Sequence, residues 1–144
     1  MKAMEFVLDN SVVARWLLQD GSAKDRQYAS MVLDLLEENA KAVVPPIFSI
    51  EVANVIARAE HLGQLHEAVS AQFIETLESM SIEVDDVSQS KSLTSVLDLA
   101  RRYKLSSYDA SYLEIALRKG IGIASLDKEL MSAFKSAGGK SVQA

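Results

Sequence analysis

Residues 4–11, Met-Glu-Phe-Val-Leu-Asp-Asn-Ser, contain the pattern that decides the fold. Met4 to Leu8 is apolar apart from Glu5 and ends at Asp9, which is typical of a short buried strand. A helix is predicted directly afterwards, over Ser11–Leu18. A buried strand that ends in an acid and passes at once into a helix predicts an α/β unit.

The same alternation continues along the chain. Further strands are predicted over Ala42–Val44, Ile82–Val84 and Ile121–Ala124, with a last edge strand over Ser141–Gln143. Further helices are predicted over Lys24–Asn39 and Phe48–His61, from near His66, from Leu93 to near Tyr103, and over Ser106–Lys119 and Asp127–Ala137. Short strands alternating with helices predict one α/β domain over residues 1–144, with a parallel sheet covered on both faces.

Composition limits the class of protein. The chain has 144 residues, no cysteine and a net charge of −5, so a disulfide framework and a thiolate metal site are excluded. No basic stretch followed by a long apolar run marks a signal peptide, and no window matches a membrane span, so we expect a soluble cytoplasmic protein. The negative charge disfavours broad non-specific binding to nucleic acid, but bound metal ions could offset it locally.

Four acidic residues, Asp9, Glu51, Asp109 and Asp127, each fall in or just before the first turn of a predicted helix. Taken singly, the three aspartates are explained as helix caps or partners of the helix dipole. Glu51 is less easily explained, because its neighbours are apolar. Asn54 shares its helix face, and a buried Glu–Asn pair is costly unless other groups satisfy both side chains.

The four acids together indicate a metal site. The carboxyl ends of parallel strands meet at one edge of the sheet, where the strand order reverses and opens a crevice. Two carboxylates about 4 Å apart repel by roughly 4 kcal/mol at an effective dielectric of 20. Protonation of one or more carboxylates could relieve this repulsion, but binding of a hard divalent cation is the simpler explanation. An all-oxygen site suits Mg²⁺ or Mn²⁺. Zinc is disfavoured because His61 and His66 lie away from the acids.

Such a site predicts hydrolysis of a phosphodiester. A divalent metal can orient a water, lower its pKa and stabilise charge on a phosphoryl oxygen, while a nearby carboxylate takes the proton. The sequence contains no Ser-His-acid or Cys-His arrangement, no phosphate-binding loop and no dinucleotide glycine pattern that would favour another chemistry.

Four short motifs now carry a family resemblance. They are Val7-Leu8-Asp9-Asn10-Ser11, Pro46 to Asn54 with Glu51-x-x-Asn54, Leu105-Ser106-Ser107-Tyr108-Asp109-Ala110-Ser111-Tyr112-Leu113, and Ile123-Ala124-Ser125-Leu126-Asp127-x-x-Leu130. Each is degenerate alone, but their order and spacing over essentially the whole length resemble the PIN-domain ribonucleases. Among these, the chain resembles the VapC-type toxins of toxin–antitoxin pairs.

The resemblance implies more than the periodicity does. It implies a three-layer α/β/α fold and an endoribonuclease whose Mg²⁺ or Mn²⁺ is held by the acids matching Asp9, Glu51, Asp109 and Asp127. Ser11 and Ser125 match positions that carry a hydroxyl near the metal. The resemblance also implies a homodimer, an RNA substrate and a cognate antitoxin whose tail lies in the active-site groove.

Other interpretations stay open at this point. One is a non-catalytic signalling module similar to a response-regulator receiver, with Asp85-Asp86 after a strand, although the paired acids after the first strand and the late lysine of receivers are missing. Another is a binding protein that keeps the fold without activity. The RNA-contacting residues are unassigned; the candidates for phosphate contacts are Arg15, Arg58, Arg101 and Arg102, each of which is better explained as a solvated surface charge.

Overall fold

Four parallel strands form one sheet, so all four end at the same edge. In a computed structural model, which describes residues 3–144, the strands are β1 (Glu5–Leu8), β2 (Lys41–Val44), β3 (Ile82–Val84) and β4 (Gly122–Ala124). The sheet order is β3-β2-β1-β4, and all three pairings are parallel. The chain therefore extends from β1 to one side through β2 and β3, and then returns to the other side with β4. This reversal places the crevice between β1 and β4.

The helices flank this sheet. They are α1 (Asn10–Leu18), α2 (Ala23–Glu37), α3 (Phe48–His61), α4 (Glu67–Glu78), α5 (Leu97–Tyr103), α6 (Ser107–Lys119) and α7 (Lys128–Ser136). Phe6, Val7 and Leu8 on β1 are all fully buried. Because successive strand residues point to opposite faces, helices must cover both faces of β1. The predicted α/β fold with a parallel sheet flanked by helices is confirmed.

Hydrogen bonding at the helix ends fixes where the site-bearing helices begin. The Ser106 hydroxyl accepts from Asp109 N at 3.1 Å and starts α6, and Gly120 ends α6 in the left-handed conformation. The Asp127 carboxylate accepts from Leu130 N at 2.9 Å and starts α7.

Two predicted elements differ from the structure. The last edge strand over Ser141–Gln143 is reduced to one parallel bridge between Ser141 and Ile123, because the chain turns at Gly138 and Gly139 and only Val142 is buried. The helix predicted from Leu93 to near Tyr103 consists of a π turn (Ser92–Val96) followed by the short helix α5, and a 3-10 turn (Ser88–Lys91) precedes them.

Among residues 3–144, no helix is both long and apolar enough to cross a membrane.

Candidate active site

Asp9 forms the base of the crevice between β1 and β4. It follows the last residue of β1, its backbone N–H donates to Ala124 O at 3.0 Å, and the residue is only 2% exposed. Although Asp9 lies at the N-cap position of α1, its side chain caps nothing. The carboxylate is therefore not used as a helix cap, which is the role that the sequence alone favours for Asp9.

Two serine hydroxyls hold one oxygen of this carboxylate. Ser11 Oγ and Ser125 Oγ each donate to Asp9 Oδ2 at 2.7 Å. The same hydroxyls accept from backbone N–H groups of the loop after β4, Ser11 from Leu126 at 2.9 Å and Ser125 from Asp127 at 3.0 Å. This network joins the ends of β1 and β4 and fixes the rotamer of Asp9. Both serines had been expected near a metal from the family resemblance.

The pKa of Asp9 reflects these opposing influences. Burial raises it, the hydrogen bonds from Ser11 and Ser125 lower it, and the negative charge of Asp127 raises it again. The net direction is upward, so the buried carboxylate lacks a stabilising positive charge.

Glu51 reaches the site from the first turn of α3. Its Oε1 accepts a 2.5 Å hydrogen bond from the hydroxyl of Tyr112 on α6. Burial raises the pKa of Glu51 and the charge of Asp9 raises it further, while hydrogen bonds from Tyr112 and Asn10 oppose the shift. Glu51 therefore lies within electrostatic reach of Asp9.

Asp109 is the most perturbed of the four acids. It lies half-buried in the first turn of α6, and its carboxylate accepts no hydrogen bond from any side chain in residues 3–144. Burial, followed by the charges of Asp127, Asp9 and Glu51, raises its pKa to about 6. A carboxyl group that is repelled by three others is poised to take up either a proton or a cation.

The structure therefore brings all four predicted acids into one electrostatic group. Asp109 is repelled by the other three, and Asp9 is repelled by Asp127. Within the described part of the chain, however, no three acidic or histidine side chains approach closely enough to hold a metal ion as they stand.

The part of the chain that carries these acids matches a known family. The sequence model of the family described as PIN domain matches residues 6–136, which include all four acids. The chain belongs to the PIN domain family. PIN domains are typically nucleases and usually bind divalent metals. No curated protein matches the sequence of this PIN domain.

A solved structure supports the fold of this PIN domain. It is similar to the crystal structure of PAE2754 from Pyrobaculum aerophilum, with a TM-score of 0.69 and 21% sequence identity. The alignment covers 97% of this chain and 90% of that one. At this identity the likeness concerns the fold alone.

Two details of the site differ from the sequence-based assignment. Asn54, predicted to support Glu51, is exposed and makes no hydrogen bond to it among the described contacts, because α3 turns the Asn54 side chain outward. Tyr112, which was not among the predicted site residues, supports Glu51 instead. A buried tyrosine needs a hydrogen-bond partner for its hydroxyl. The position of Tyr112 one turn after Asp109 was therefore the sequence signal that could have predicted a contact with a site residue.

The donor set of this PIN domain fits a hard divalent cation. All four candidate ligands are carboxylates, and the side chains nearest to them contribute hydroxyl oxygens from Ser11 and Ser125. Oxygen-only coordination is what Mg²⁺ and Mn²⁺ prefer. The upward pKa shifts of Asp9, Glu51 and Asp109 all indicate a site that lacks positive charge.

Proposed function

We propose that this PIN domain is a metal-dependent endoribonuclease that hydrolyses RNA phosphodiester bonds. Asp9, Glu51, Asp109 and Asp127 would hold Mg²⁺ or Mn²⁺ in the crevice between β1 and β4. The observation that carries the proposal is the meeting of the three other carboxylates around the half-buried Asp109, whose pKa burial and then their charges raise to about 6. Repulsion of this kind is retained at sites that bind a cation and is otherwise costly.

Each residue contributes differently to the reaction. The metal, when bound, would polarise the phosphoryl oxygen and lower the pKa of a water. Asp9 would present Oδ1 to it, because Ser11 and Ser125 already hold Oδ2, whereas Oδ1 accepts only a longer hydrogen bond of 3.3 Å from Asn10 Nδ2. Glu51 would present Oε2, since Tyr112 holds Oε1. The carboxylate of Asp109 is free of side-chain hydrogen bonds, so it is the best placed to accept the proton of the attacking water.

We further propose that the nuclease is the cytoplasmic toxin of a toxin–antitoxin pair and forms a homodimer. The four motifs that resemble VapC-type toxins support this subtype. An apolar groove of about 630 Å³ beside the acids supports a protein partner. Leu93 (87% exposed), Ile50 (65%) and Tyr108 (57%) line it, and such a cluster is unusual on a solitary domain. The mass of the protein in solution would test the homodimer. Co-purification with the product of an adjacent small gene would test the antitoxin.

Cleavage of single-stranded RNA with Mg²⁺, Mn²⁺ or EDTA tests the nuclease. Wild type should cleave with either metal and stop in EDTA, and Asp9→Asn should lose at least about two orders of magnitude in rate, as expected for a metal-dependent step. Asp34→Asn is the matched control, because Asp34 is exposed on α2, away from the crevice. Full activity of Asp9→Asn at equal purity would overturn the proposal.

A further inference from the structure

Three cationic side chains line one cleft beside the acidic crevice. Arg102 lies in the last turn of α5, Lys104 ends that helix, and Lys128 begins α7. The cleft has a volume of about 510 Å³. The remaining lining consists of Tyr103, Glu129, Ser132, Ala133 and Ser136. We refer to Arg102, Lys104 and Lys128 together as the basic cleft.

The positive charge of the basic cleft is not consumed by ion pairs. Among residues 3–144, none of its three cations forms a salt bridge. Five other basic residues do, namely Arg15, Lys41, Arg101, Arg118 and Lys119. The only acid in the lining is Glu129, so three cations face one anion in a protein whose net charge is −5.

The backbone fixes the position of one of these cations. Lys104 adopts the left-handed conformation with φ 54°, which ends α5, and its backbone N–H donates to Ala100 O. The next residue, Leu105, is buried and also donates to Ala100 O, at 3.1 Å. Two anchored backbone groups therefore hold Lys104 in place between α5 and α6.

The basic cleft lies next to two of the four acids, Asp109 and Asp127. Lys128 follows Asp127, whose carboxylate caps α7. Glu129 lines the cleft and is close enough to Asp109 to contribute to its raised pKa. Lys104 precedes the Ser106 cap that positions Asp109. A chain lying in the cleft would therefore pass next to the crevice.

We propose that the basic cleft binds backbone phosphates of the RNA next to the bond that is cut. This inference rests on the proposed nuclease function and assigns the substrate-contacting surface that the sequence left open. Lysine and arginine bind phosphates through charge, and hydroxyls such as those of Ser132 and Ser136 add hydrogen bonds to phosphate oxygens. Of the four arginines considered from the sequence, only Arg102 lines this cleft.

Binding of a fluorescein-labelled single-stranded RNA, measured by anisotropy at several salt concentrations, tests the inference without requiring cleavage. The protein carries Asp9→Asn, with Mg²⁺ present. Adding Arg102→Gln, Lys104→Gln and Lys128→Gln should weaken binding by at least about tenfold. It should also reduce the slope of log affinity against log salt by about 2, since each phosphate contact on a single strand contributes roughly 0.7.

The matched control removes cations at the opposite edge of the sheet. Lys135 and Lys140 line another cleft of about 500 Å³, and the Lys140 carbonyl lies against Gly122 at the start of β4. The double variant Lys135→Gln/Lys140→Gln should bind RNA within about twofold of its parent with an unchanged salt slope. Thermal unfolding of all variants checks that these exposed substitutions leave the fold intact.

The outcomes separate this inference from the nuclease proposal. If wild type cleaves RNA but the triple variant binds with the parental affinity and slope, the basic cleft is wrong and the nuclease stands. If the triple variant loses binding while wild type does not cleave, the cleft stands and the nuclease fails. Equal losses of RNA affinity in the triple variant and in the Lys135/Lys140 control would show a general effect of charge. That result would overturn the assignment of the basic cleft as the RNA-binding surface.

Discussion

The hydroxyl of Tyr112 on α6 donates a 2.5 Å hydrogen bond to Oε1 of Glu51 on α3, across 61 positions of sequence. Tyr112 is fully buried, so this carboxylate takes the place that water would otherwise fill. Burial, and then the charge of Glu51, raises the pKa of the Tyr112 hydroxyl above its ordinary value, which keeps it a donor. The pair fixes the direction of Glu51 in the crevice.

Tyr112→Phe should keep the ring packing and release Glu51. We expect a loss of about 1.5–3 kcal/mol in the free energy of unfolding, typical of a hydrogen bond to a charged group. We also expect Mn²⁺ to bind several-fold more weakly, because the Glu51 carboxylate is no longer oriented. Urea unfolding and titration calorimetry with Mn²⁺ measure the two effects.

Tyr28→Phe is the control for that experiment. The Tyr28 hydroxyl donates to Val142 O at 2.8 Å, so the same chemical change removes a hydrogen bond away from the acids. It should lower stability without changing Mn²⁺ affinity. Equal Mn²⁺ affinities in the two variants would show that Tyr112 has only a structural role.

Ser125→Ala should disturb Asp9 more than it disturbs the fold. The substitution removes one of the two hydrogen bonds to Asp9 Oδ2 and leaves Asp127 N–H without its acceptor. We expect a stability loss of about 1–3 kcal/mol and a fall in the maximal cleavage rate at saturating Mg²⁺. Ser125→Thr keeps the hydroxyl and should restore both. A rate unchanged in Ser125→Ala would argue against a role for the serine in orienting Asp9.

Asp109→Asn should stabilise the protein in EDTA. The pKa of Asp109 is raised from its usual value to about 6, so its ionisation disfavours the folded state. The wild type therefore loses stability as the pH rises from about 4 to above 6, whereas the variant does not. Since the side chain is half-exposed, we expect a gain of about 1 kcal/mol at pH 7.5, or roughly 2–4 °C in Tm.

Thermal unfolding of both proteins at pH 4.5 and pH 7.5 measures this difference. The gain should nearly disappear at pH 4.5, where Asp109 is protonated in the wild type. Mg²⁺ should stabilise the wild type more than the variant. A gain of equal size at both pH values would mean that repulsion among carboxylates is not its cause.

Arg118→Met should destabilise the fold strongly. Arg118 Nε donates to the buried carboxylate of Glu114 at 2.7 Å, and its guanidinium also pairs with Asp85 at the end of β3. Removing the cation leaves two mostly buried acids unpaired, which should cost roughly 2–4 kcal/mol. Urea unfolding measures the loss. Arg101→Met, whose exposed pair with Asp98 spans 3.9 Å, should change stability by less than about 0.5 kcal/mol.

The sequence predicts the strands and most helices because local signals agree there. Ile82–Val84 and Phe48–His61 have the predicted bounds, since apolar periodicity and flanking turn residues coincide. The 3-10 and π turns before α5 could not be predicted in the same way. In that segment Leu93 follows the helical period yet stays exposed, and only packing of the chain after β3 distinguishes these turns from a regular helix.

The sequence by itself determined the alternation of elements and the placement of Asp9, Glu51, Asp109 and Asp127 at helix starts, because strand burial and helix capping act over a few residues. Only the tertiary structure decided which groups meet. The strand order 3-2-1-4 brings Ser125 to Asp9, and the tertiary placement of α6 and α3 brings Tyr112 to Glu51. These contacts join residues more than 60 positions apart, and no local periodicity encodes them.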